Sequence, residues 1–353
     1  MYKRLSDVST GLNELRELGV QRGKEIGWDW NDFPLTIKEG CTTYIGAAPA
    51  SGKTEVWLEM LINLSCQYEW NHIIYTPETG SAEEIFAELC YKFIGKPYVK
   101  SSGYEMSTYE CTIAEHFVEK HFVIIDPIDE DLTIDIFYDL CDKVEQDLGK
   151  KFHTTMIDPW NELTESFIPE DLGREDKYLS RILGKVRKNA RKTGRHNCVI
   201  NHVRDQQAVV NSDGKRYYPM PTARDFAGGQ VWFRKGLTIL MVWRPPYGLS
   251  DENGRMYEDN EVHIRVAKSK PKGTSKVGTY KLFLDTRRYQ YYMQNEAGEK
   301  KYANRKLHTH QYKIEDVKPV DFSSIGRQIN EGVKPVEKEK DELFGFTEEE
   351  CPF

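Results

Sequence analysis

The stretch Ala47-Ala-Pro-Ala-Ser-Gly-Lys-Thr54 decides the fold. It matches the pattern G-x-x-x-x-G-K-[ST] at every fixed position except the first, where alanine replaces glycine and Gly46 stands one place earlier. A β-rich run at residues 42–46 precedes it, and apolar residues at helical spacing follow it. A loop between a strand and a helix N-terminus directs several backbone N–H groups at one point. The context therefore predicts a phosphate-binding loop, or P-loop.

Two side chains in this loop carry the expected chemistry. Lys53 is expected to reach the β- and γ-phosphates of a nucleotide, and the Thr54 hydroxyl is expected to bind Mg²⁺. The predicted cofactors are therefore ATP and Mg²⁺. The other positions predicted to line the nucleotide are Ala48, Pro49, Ala50, Ser51, Gly52 and Glu55.

Strand and helix signals alternate after the loop, which predicts an α/β fold with a mostly parallel central sheet and helices on both faces. The short β-rich runs lie at residues 72–76, 122–126, 154–157, 198–202 and 237–242. Alternating patterns near the C-terminal end predict antiparallel edge strands. These patterns lie at residues 262–267, 280–284 and 288–293.

The sequence divides into four predicted regions. Residues 1–40 form an N-terminal arm with a short helix, in which leucines at 12, 15 and 18 share one face. This helix could dock on a neighbouring subunit or fold back on its own domain. Residues 41–295 are the ATPase domain, 296–333 a C-terminal extension, and 334–353 a disordered acidic tail.

Composition excludes several classes of protein. The net charge of the 353 residues is −7, so any nucleic-acid site must be a local basic patch. None of the seven cysteines falls in a C-x-x-C pair, which argues against a zinc module. There is no apolar run of about 18 residues and no signal-peptide pattern at the start, so we expect no membrane contact and a cytoplasmic protein.

A second carboxylate is needed on the Mg²⁺ side of the nucleotide, and the residues alone leave two candidates. Asp126 ends the run Val-Ile-Ile-Asp, and Asp158 ends the run Thr-Met-Ile-Asp. Each aspartate follows an apolar strand, as a Walker-B residue does. The local pattern does not distinguish between them.

The order of motifs resembles the DnaB and Twinkle group of superfamily 4 helicases over about residues 20–293, which implies a RecA-like P-loop NTPase. Residues 43–54 are similar to the P-loop of DnaB proteins. The run Ile73-Ile-Tyr-Thr-Pro-Glu-Thr79 resembles the second motif, which implies that Glu78 polarises the attacking water. Met156-Ile-Asp-Pro-Trp-Asn-Glu-Leu163 is similar to the Walker-B strand of phage and Twinkle-like members. The resemblance therefore implies Asp158 as the Mg²⁺-side carboxylate and leaves Asp126 a structural role.

Two further motifs imply coupling to DNA. Asn201-His-Val-Arg204 resembles the third motif, with His202 as the γ-phosphate sensor. The segment from Arg204 to Lys235 is similar to the fourth motif, which grips a single-stranded backbone, although Gly236 stands where an aspartate is usual. The predicted DNA-binding residues are Arg204, Lys215, Arg216, Arg224, Arg234 and Lys235.

A late strand, Val266-Ala-Lys-Ser-Lys-Pro-Lys272, resembles the family's Lys-x-Arg strand, which reaches a neighbour's ATP. Lys268 matches the lysine, but Lys270 replaces the arginine. Lysine cannot form arginine's bidentate fork, so Arg265 is an alternative finger.

The resemblance implies a replicative DNA helicase motor, phage-type, which translocates on single-stranded DNA in the 5′ to 3′ direction as a homo-hexamer. It implies the cytoplasm of a bacterium or of a phage-infected host. Two alternatives stay open: a RecA-like recombinase that forms filaments on DNA, and a non-motor ATPase switch. We also expect the acidic tail to bind a replication protein, a polymerase or primase, because acidic residues there surround aromatics and a final Pro-Phe.

Overall fold

The structure is a computed structural model that describes residues 2–28, 35–100, 103–127, 131–204, 206–212, 214, 216–246, 248–251, 253–270, 274–295 and 297–305. Lys215, the tail at 334–353 and most of the extension at 296–333 lie outside the described residues. Predictions about them are not tested.

The described residues form α-helices and strands in alternation, as the sequence predicts. The helices are α1 (Ser9–Leu18), α2 (Lys53–Tyr68), α3 (Ala82–Ile94), α4 (Thr108–His121), α5 (Ile134–Leu148), α6 (Glu175–Thr193) and α7 (Val231–Lys235). The strands are β1 (Lys24–Glu25), β2 (Thr36–Ile37), β3 (Thr42–Ala47), β4 (His72–Tyr75), β5 (Phe122–Ile124), β6 (Thr154–Ile157), β7 (His196–His202), β8 (Val209–Val210), β9 (Arg216–Tyr217), β10 (Thr238–Trp243), β11 (Glu261–Ser269), β12 (Gly278–Asp285), β13 (Gln290–Gln294) and β14 (Lys300–Tyr302).

The central sheet has the strand order β14-β13-β12-β11-β10-β3-β7-β6-β4-β5. Every pair from β10 to β5 is parallel, and every pair from β14 to β10 is antiparallel. The predicted parallel sheet with antiparallel strands toward the C-terminal end is therefore confirmed. The carboxyl ends of parallel strands share one edge of such a sheet, so the loops that follow β3, β4, β6 and β7 meet there.

Strand β3 lies in the middle of the sheet and is buried along its whole length. A strand covered on both faces buries every side chain, which explains why its burial is continuous rather than alternating, although it begins with the polar Thr42 and Thr43. Gly46 is required because a Cβ there would lie 2.6 Å from the Met241 Cε and 2.8 Å from the Phe226 Cζ. Met241 and Phe226 therefore pack closely against the end of the strand that leads into the P-loop.

Two apolar layers cover the sheet. Helices α2, α3 and α4 pack on one face, where the Phe93 and Phe117 rings stack with centroids 3.8 Å apart. Helices α5, α6 and α7 pack on the other face, where Trp232 meets Tyr44 edge to face at 5.3 Å. Helix α6 packs through one apolar face, in which Leu179, Ile182, Leu183 and Val186 are buried.

Helix α1 forms where the leucine spacing predicts it, but it buries none of its residues. Leu12, Leu15 and Leu18 are 45%, 48% and 70% exposed. In the single chain this helix therefore does not fold back onto the core, which was one of the two alternatives. None of the helices in the described ranges is both long and apolar enough to cross a membrane.

Candidate nucleotide site

The P-loop has the backbone shape that its sequence predicts. It ends at Gly52, whose φ of 77° lies in the left-handed region, and α2 begins at the next residue. A Cβ on Gly52 would also lie 2.9 Å from the Tyr291 hydroxyl. Glycine is thus required here both by backbone conformation and by space. The turn is closed by hydrogen bonds from the Ser51 N–H to the Ala48 carbonyl (3.3 Å) and from the Val56 N–H to the Gly52 carbonyl (3.0 Å).

The sheet register brings the other predicted residues to the same edge. Ala47 at the end of β3 is opposite His202 at the end of β7. Tyr75 at the end of β4 is opposite Ile157 at the end of β6. Asp158 follows β6 directly and Glu78 comes three residues after β4, and both side chains lie beside Lys53 of the P-loop.

Asp158 is the carboxylate that contacts the P-loop. It is buried, it accepts a hydrogen bond from the Thr54 hydroxyl, and its Oδ1 lies 3.9 Å from the Lys53 Nζ. Asp126, by contrast, is exposed at the end of the edge strand β5. Tertiary structure therefore favours Asp158 over Asp126, the choice that the local pattern left open.

The Thr54 and Asp158 pair fits a magnesium ion. Burial raises the pKa of Asp158, while Lys53 and the Thr54 hydroxyl oppose that rise. The Asp158 Oδ1 atom is buried and has no hydrogen-bond partner among the described residues. Mg²⁺ is usually held by one or two protein oxygens together with phosphates and waters, rather than by a protein cage. Consistently, the described ranges contain no cluster of three or more His, Cys, Asp or Glu that could form a metal site.

Glu78 and His202 stand next to this pair. The Glu78 side chain is half exposed, and its Oε2 lies 3.8 Å from the Lys53 Nζ and 3.5 Å from the His202 Nε2. Water can reach a half-exposed carboxylate, whereas Asp158 is closed off. The two acidic residues thus differ in environment as their predicted roles require.

The predicted third and fourth motifs are joined by backbone hydrogen bonds. The Val203 N–H donates to the Ala47 carbonyl (3.1 Å), and the Ala227 N–H donates to the His202 carbonyl (3.0 Å). The Arg204 N–H donates to the Asp225 carbonyl (2.7 Å). The end of β7 is therefore bonded to the P-loop strand on one side and to the predicted DNA segment on the other.

The predicted DNA-binding residues are on the surface, but they do not form one uniform patch. Arg204, Arg216, Arg224 and Arg234 are exposed. Arg234 and Lys235, at the end of α7, line a groove in which both acidic residues (Glu170, Asp171 and Asp176) and basic residues (Lys177 and Arg181) occur. Arg204 and Arg224 lie on the segment that is hydrogen-bonded to the end of β7.

The predicted trans-acting residues lie on β11 and just beyond it. The Lys268 Nζ donates to the Phe233 carbonyl and lies 4.6 Å from the centroid of the Phe233 ring. The Lys270 N–H donates to the Leu237 carbonyl (2.9 Å). This backbone hydrogen bond does not fix the direction of the Lys270 side chain. The Arg265 Nε donates to the Thr279 hydroxyl (3.2 Å) within the sheet. The choice between Lys270 and Arg265 stays a prediction.

A groove beside the P-loop was missed at the level of sequence. It has a volume of about 390 Å³ and is lined by Ala48 to Ser51 on one side and by Tyr218, Trp243 and Arg244 on the other. Arg244 donates from its Nη2 to the Asp259 carbonyl (3.1 Å). The available signal was the Trp-Arg-Pro-Pro run directly after the predicted strand at 237–242.

The fold is that of a RecA-like P-loop domain. Among solved structures, the ATPase domain of G40P matches with a TM-score of 0.63 and 16% identity, over 82% of this chain and 99% of that one. A DnaB-like replicative helicase, described together with its interactions with primase, matches with a TM-score of 0.60 and 16% identity, over 82% of this chain and 67% of that one.

The sequence comparison points to the same group. The Twinkle homolog protein of Arabidopsis thaliana chloroplasts and mitochondria is 24% identical over 264 residues, which is 73% of this chain. The chain spans 35% of the length of that relative. No protein-family model matches the sequence. The predicted resemblance to DnaB-like and Twinkle helicases is therefore confirmed, in fold and in sequence.

Proposed function

We propose that this chain is the ATP-hydrolysing motor of a replicative DNA helicase. One observation carries the proposal: Lys53, Thr54, Glu78, Asp158 and His202 come from four separate strand ends and meet at one edge of the sheet. The resemblance to helicases of the DnaB and Twinkle group supports the choice of a DNA motor over other P-loop enzymes.

The side chains divide the work of hydrolysis. The P-loop N–H groups and Lys53 bind the β- and γ-phosphates, and Thr54 and Asp158 hold Mg²⁺, which neutralises charge on the phosphates. Glu78 orients the attacking water and accepts its proton. His202 lies beside Glu78 and so has a place next to the γ-phosphate, which it senses. Its carbonyl accepts a hydrogen bond from the segment that we propose binds DNA. The groove beside the P-loop has room for the nucleotide base.

Coupling to DNA runs along the end of β7. A shift of His202 on loss of the γ-phosphate moves the backbone at Asp225 and Ala227, to which β7 is hydrogen-bonded. Arg204 and Arg224 sit on this segment and contact phosphates of the single strand. Such contacts depend on charge rather than on base sequence, so binding weakens steeply with salt.

The active form is a homo-hexamer in this proposal. The unburied leucines of α1 support it, because an apolar helix face in water gains about 25 cal/mol for each Å² that a neighbouring subunit covers. Lys268 with Lys270, or Arg265, then acts on the nucleotide of the neighbour. The proposal also includes a polymerase or primase that binds the acidic tail. It further includes unwinding in the 5′ to 3′ direction and a cytoplasmic location.

The first experiment measures ATP hydrolysis with and without single-stranded DNA. We expect stimulation by DNA in the wild type and no turnover in Lys53→Ala. Undiminished hydrolysis in Lys53→Ala would contradict the assignment of the site.

The second experiment separates the competing classes. A forked duplex is unwound by a helicase and not by a recombinase or an ATPase switch. Duplexes with a single-stranded tail at only the 5′ or only the 3′ end give the direction of unwinding. Electron microscopy with an ATP analogue and single-stranded DNA distinguishes rings from filaments. Filaments without unwinding would favour the recombinase.

A further inference from the structure

A cluster of buried charges lies under the first turns of α2, apart from the residues assigned to hydrolysis. Lys92 on α3 is fully buried, and its Nζ lies 2.7 Å from the Glu55 Oε2. Glu55 directly follows Thr54, and the sequence predicted that it lines the nucleotide, but its side chain pairs with Lys92 instead. The same Nζ donates to the Tyr289 carbonyl (3.3 Å) and lies 4.1 Å from the centroid of the Tyr289 ring. Lys92 thus connects the P-loop helix to α3 and to the turn before β13.

The backbone around Lys92 is fixed by the same elements. Its carbonyl accepts hydrogen bonds from the Gln290 Nε2 (2.7 Å) and the Arg305 Nη1 (2.6 Å). One turn along α2, the Glu59 Oε2 accepts a hydrogen bond from the Tyr291 N–H (2.8 Å). Lys92 therefore has little freedom to move, and it acts as a fixed anchor for Glu55.

The cluster holds its charges in a defined state. Burial by itself would raise the pKa of Glu55, but the charge of Lys92 together with the other polar side chains around Glu55 outweighs burial and lowers it. Burial, and then the negative charge of Glu55, raises the pKa of Glu88 to about 9. At neutral pH Glu88 is therefore protonated, and Glu55 is the carboxylate of the cluster that lies against the Lys92 Nζ.

A buried ion pair of this kind contributes little net stability, because desolvation of both charges offsets their attraction. What it does supply is position, because two buried charges that move apart lose the attraction that offsets their desolvation. Glu55 lies in the same helical turn as Lys53 and Thr54. The Tyr291 hydroxyl, next to the cluster, also lies against Gly52 of the P-loop.

We propose that Lys92 is a positioning residue, which through its ion pair with Glu55 holds the first turn of α2 so that the Thr54 hydroxyl faces the Mg²⁺ position. The inference rests on the nucleotide site of the proposed function but not on helicase activity. It assigns Lys92 no contact with nucleotide or metal.

The test measures the affinity of the full chain for a non-hydrolysable ATP analogue, with and without Mg²⁺. In Lys92→Met, we expect the gain in affinity that Mg²⁺ provides to fall about ten-fold, because a displacement of about 1 Å at a reacting group costs up to a hundred-fold. Affinity without Mg²⁺ stays unchanged, since the loop N–H groups remain. Turnover falls together with the Mg²⁺ gain.

The matched control is Lys96→Met, which breaks an ion pair of similar length, 2.6 Å from Lys96 to Glu110, at a partly exposed site two residues after α3. It should keep the full Mg²⁺ gain. An unchanged gain in Lys92→Met would overturn the positioning role.

A second variant decides the matter if Lys92→Met does not fold. Glu55→Gln/Lys92→Met removes both charges together, and such neutral replacements of a buried pair usually fold. We expect normal thermal stability with a reduced Mg²⁺ gain. Normal stability with the full gain would show that the pair is only structural, and would refute the proposal. If the wild type binds the analogue with Mg²⁺ but does not hydrolyse ATP, the proposed helicase motor is contradicted. The affinities measured with and without Mg²⁺ still test the role of Lys92 in that case.

Discussion

The protonated Glu88 predicts a specific dependence of stability on pH. Burial and the adjacent Glu55 raise its pKa to about 9 in the folded chain, against the ordinary glutamate value of 4.5. Between these values the folded chain binds a proton that the unfolded chain releases. Its contribution to stability is therefore fully present below about pH 4.5 and is lost as the pH rises toward 9.

The size of the effect follows from about 1.36 kcal/mol for each pKa unit. From pH 5 to pH 8 the full shift corresponds to a loss of about 4 kcal/mol, and sharing of the proton with Glu55 reduces this to about 2–4 kcal/mol. Glu88→Gln replaces the acid by a neutral group of the same shape, so it should remove that part of the slope.

The assay is urea unfolding at pH 5, 6.5 and 8, with Glu119→Gln, an exposed position on α4, as the control. We expect Glu88→Gln to be more stable than the wild type at pH 8 and to differ little from it at pH 5. Parallel pH profiles for the wild type and Glu88→Gln would refute the reasoning, because they would show that Glu88 is ionised in the folded chain.

Three further predictions concern the proposed activity. Glu78→Gln should bind ATP normally and hydrolyse it at least about a hundred-fold more slowly, since an amide cannot accept the proton of the water; binding and single-turnover assays check this, and normal turnover would exclude Glu78 as the base. Mixed rings of Lys53→Ala and Lys270→Ala subunits should recover hydrolysis, because a wild-type Lys270 then faces an intact P-loop; confirmed mixed rings without recovery argue against action in trans. Deletion of residues 341–353 should leave hydrolysis intact and weaken binding to a polymerase or primase at low salt, where steering by charge is strongest; equal binding of the shortened chain contradicts the docking role.

Local pattern was enough to predict the sheet and the P-loop. The central strands β3, β4 and β6 are buried along their whole length because both faces are covered, and β11 alternates between more and less buried residues because one face meets water. The Gly-Lys-Thr turn needs only its own residues and the helix N-terminus to bind phosphate. For these features the deciding interactions lie within a few residues of one another, so they are visible in the sequence.

The rest of the site depends on residues far apart in the chain, which only the tertiary structure brings together. Asp126 and Asp158 follow equally apolar strands, and what distinguishes them is the place of β5 and β6 in the sheet. Lys92 has the pattern of an ordinary helix lysine, yet it is fully buried against Glu55 and Tyr289. The leucines of α1 predicted a helix but not its partner, because an amphipathic pattern states that a face must be covered and not what covers it.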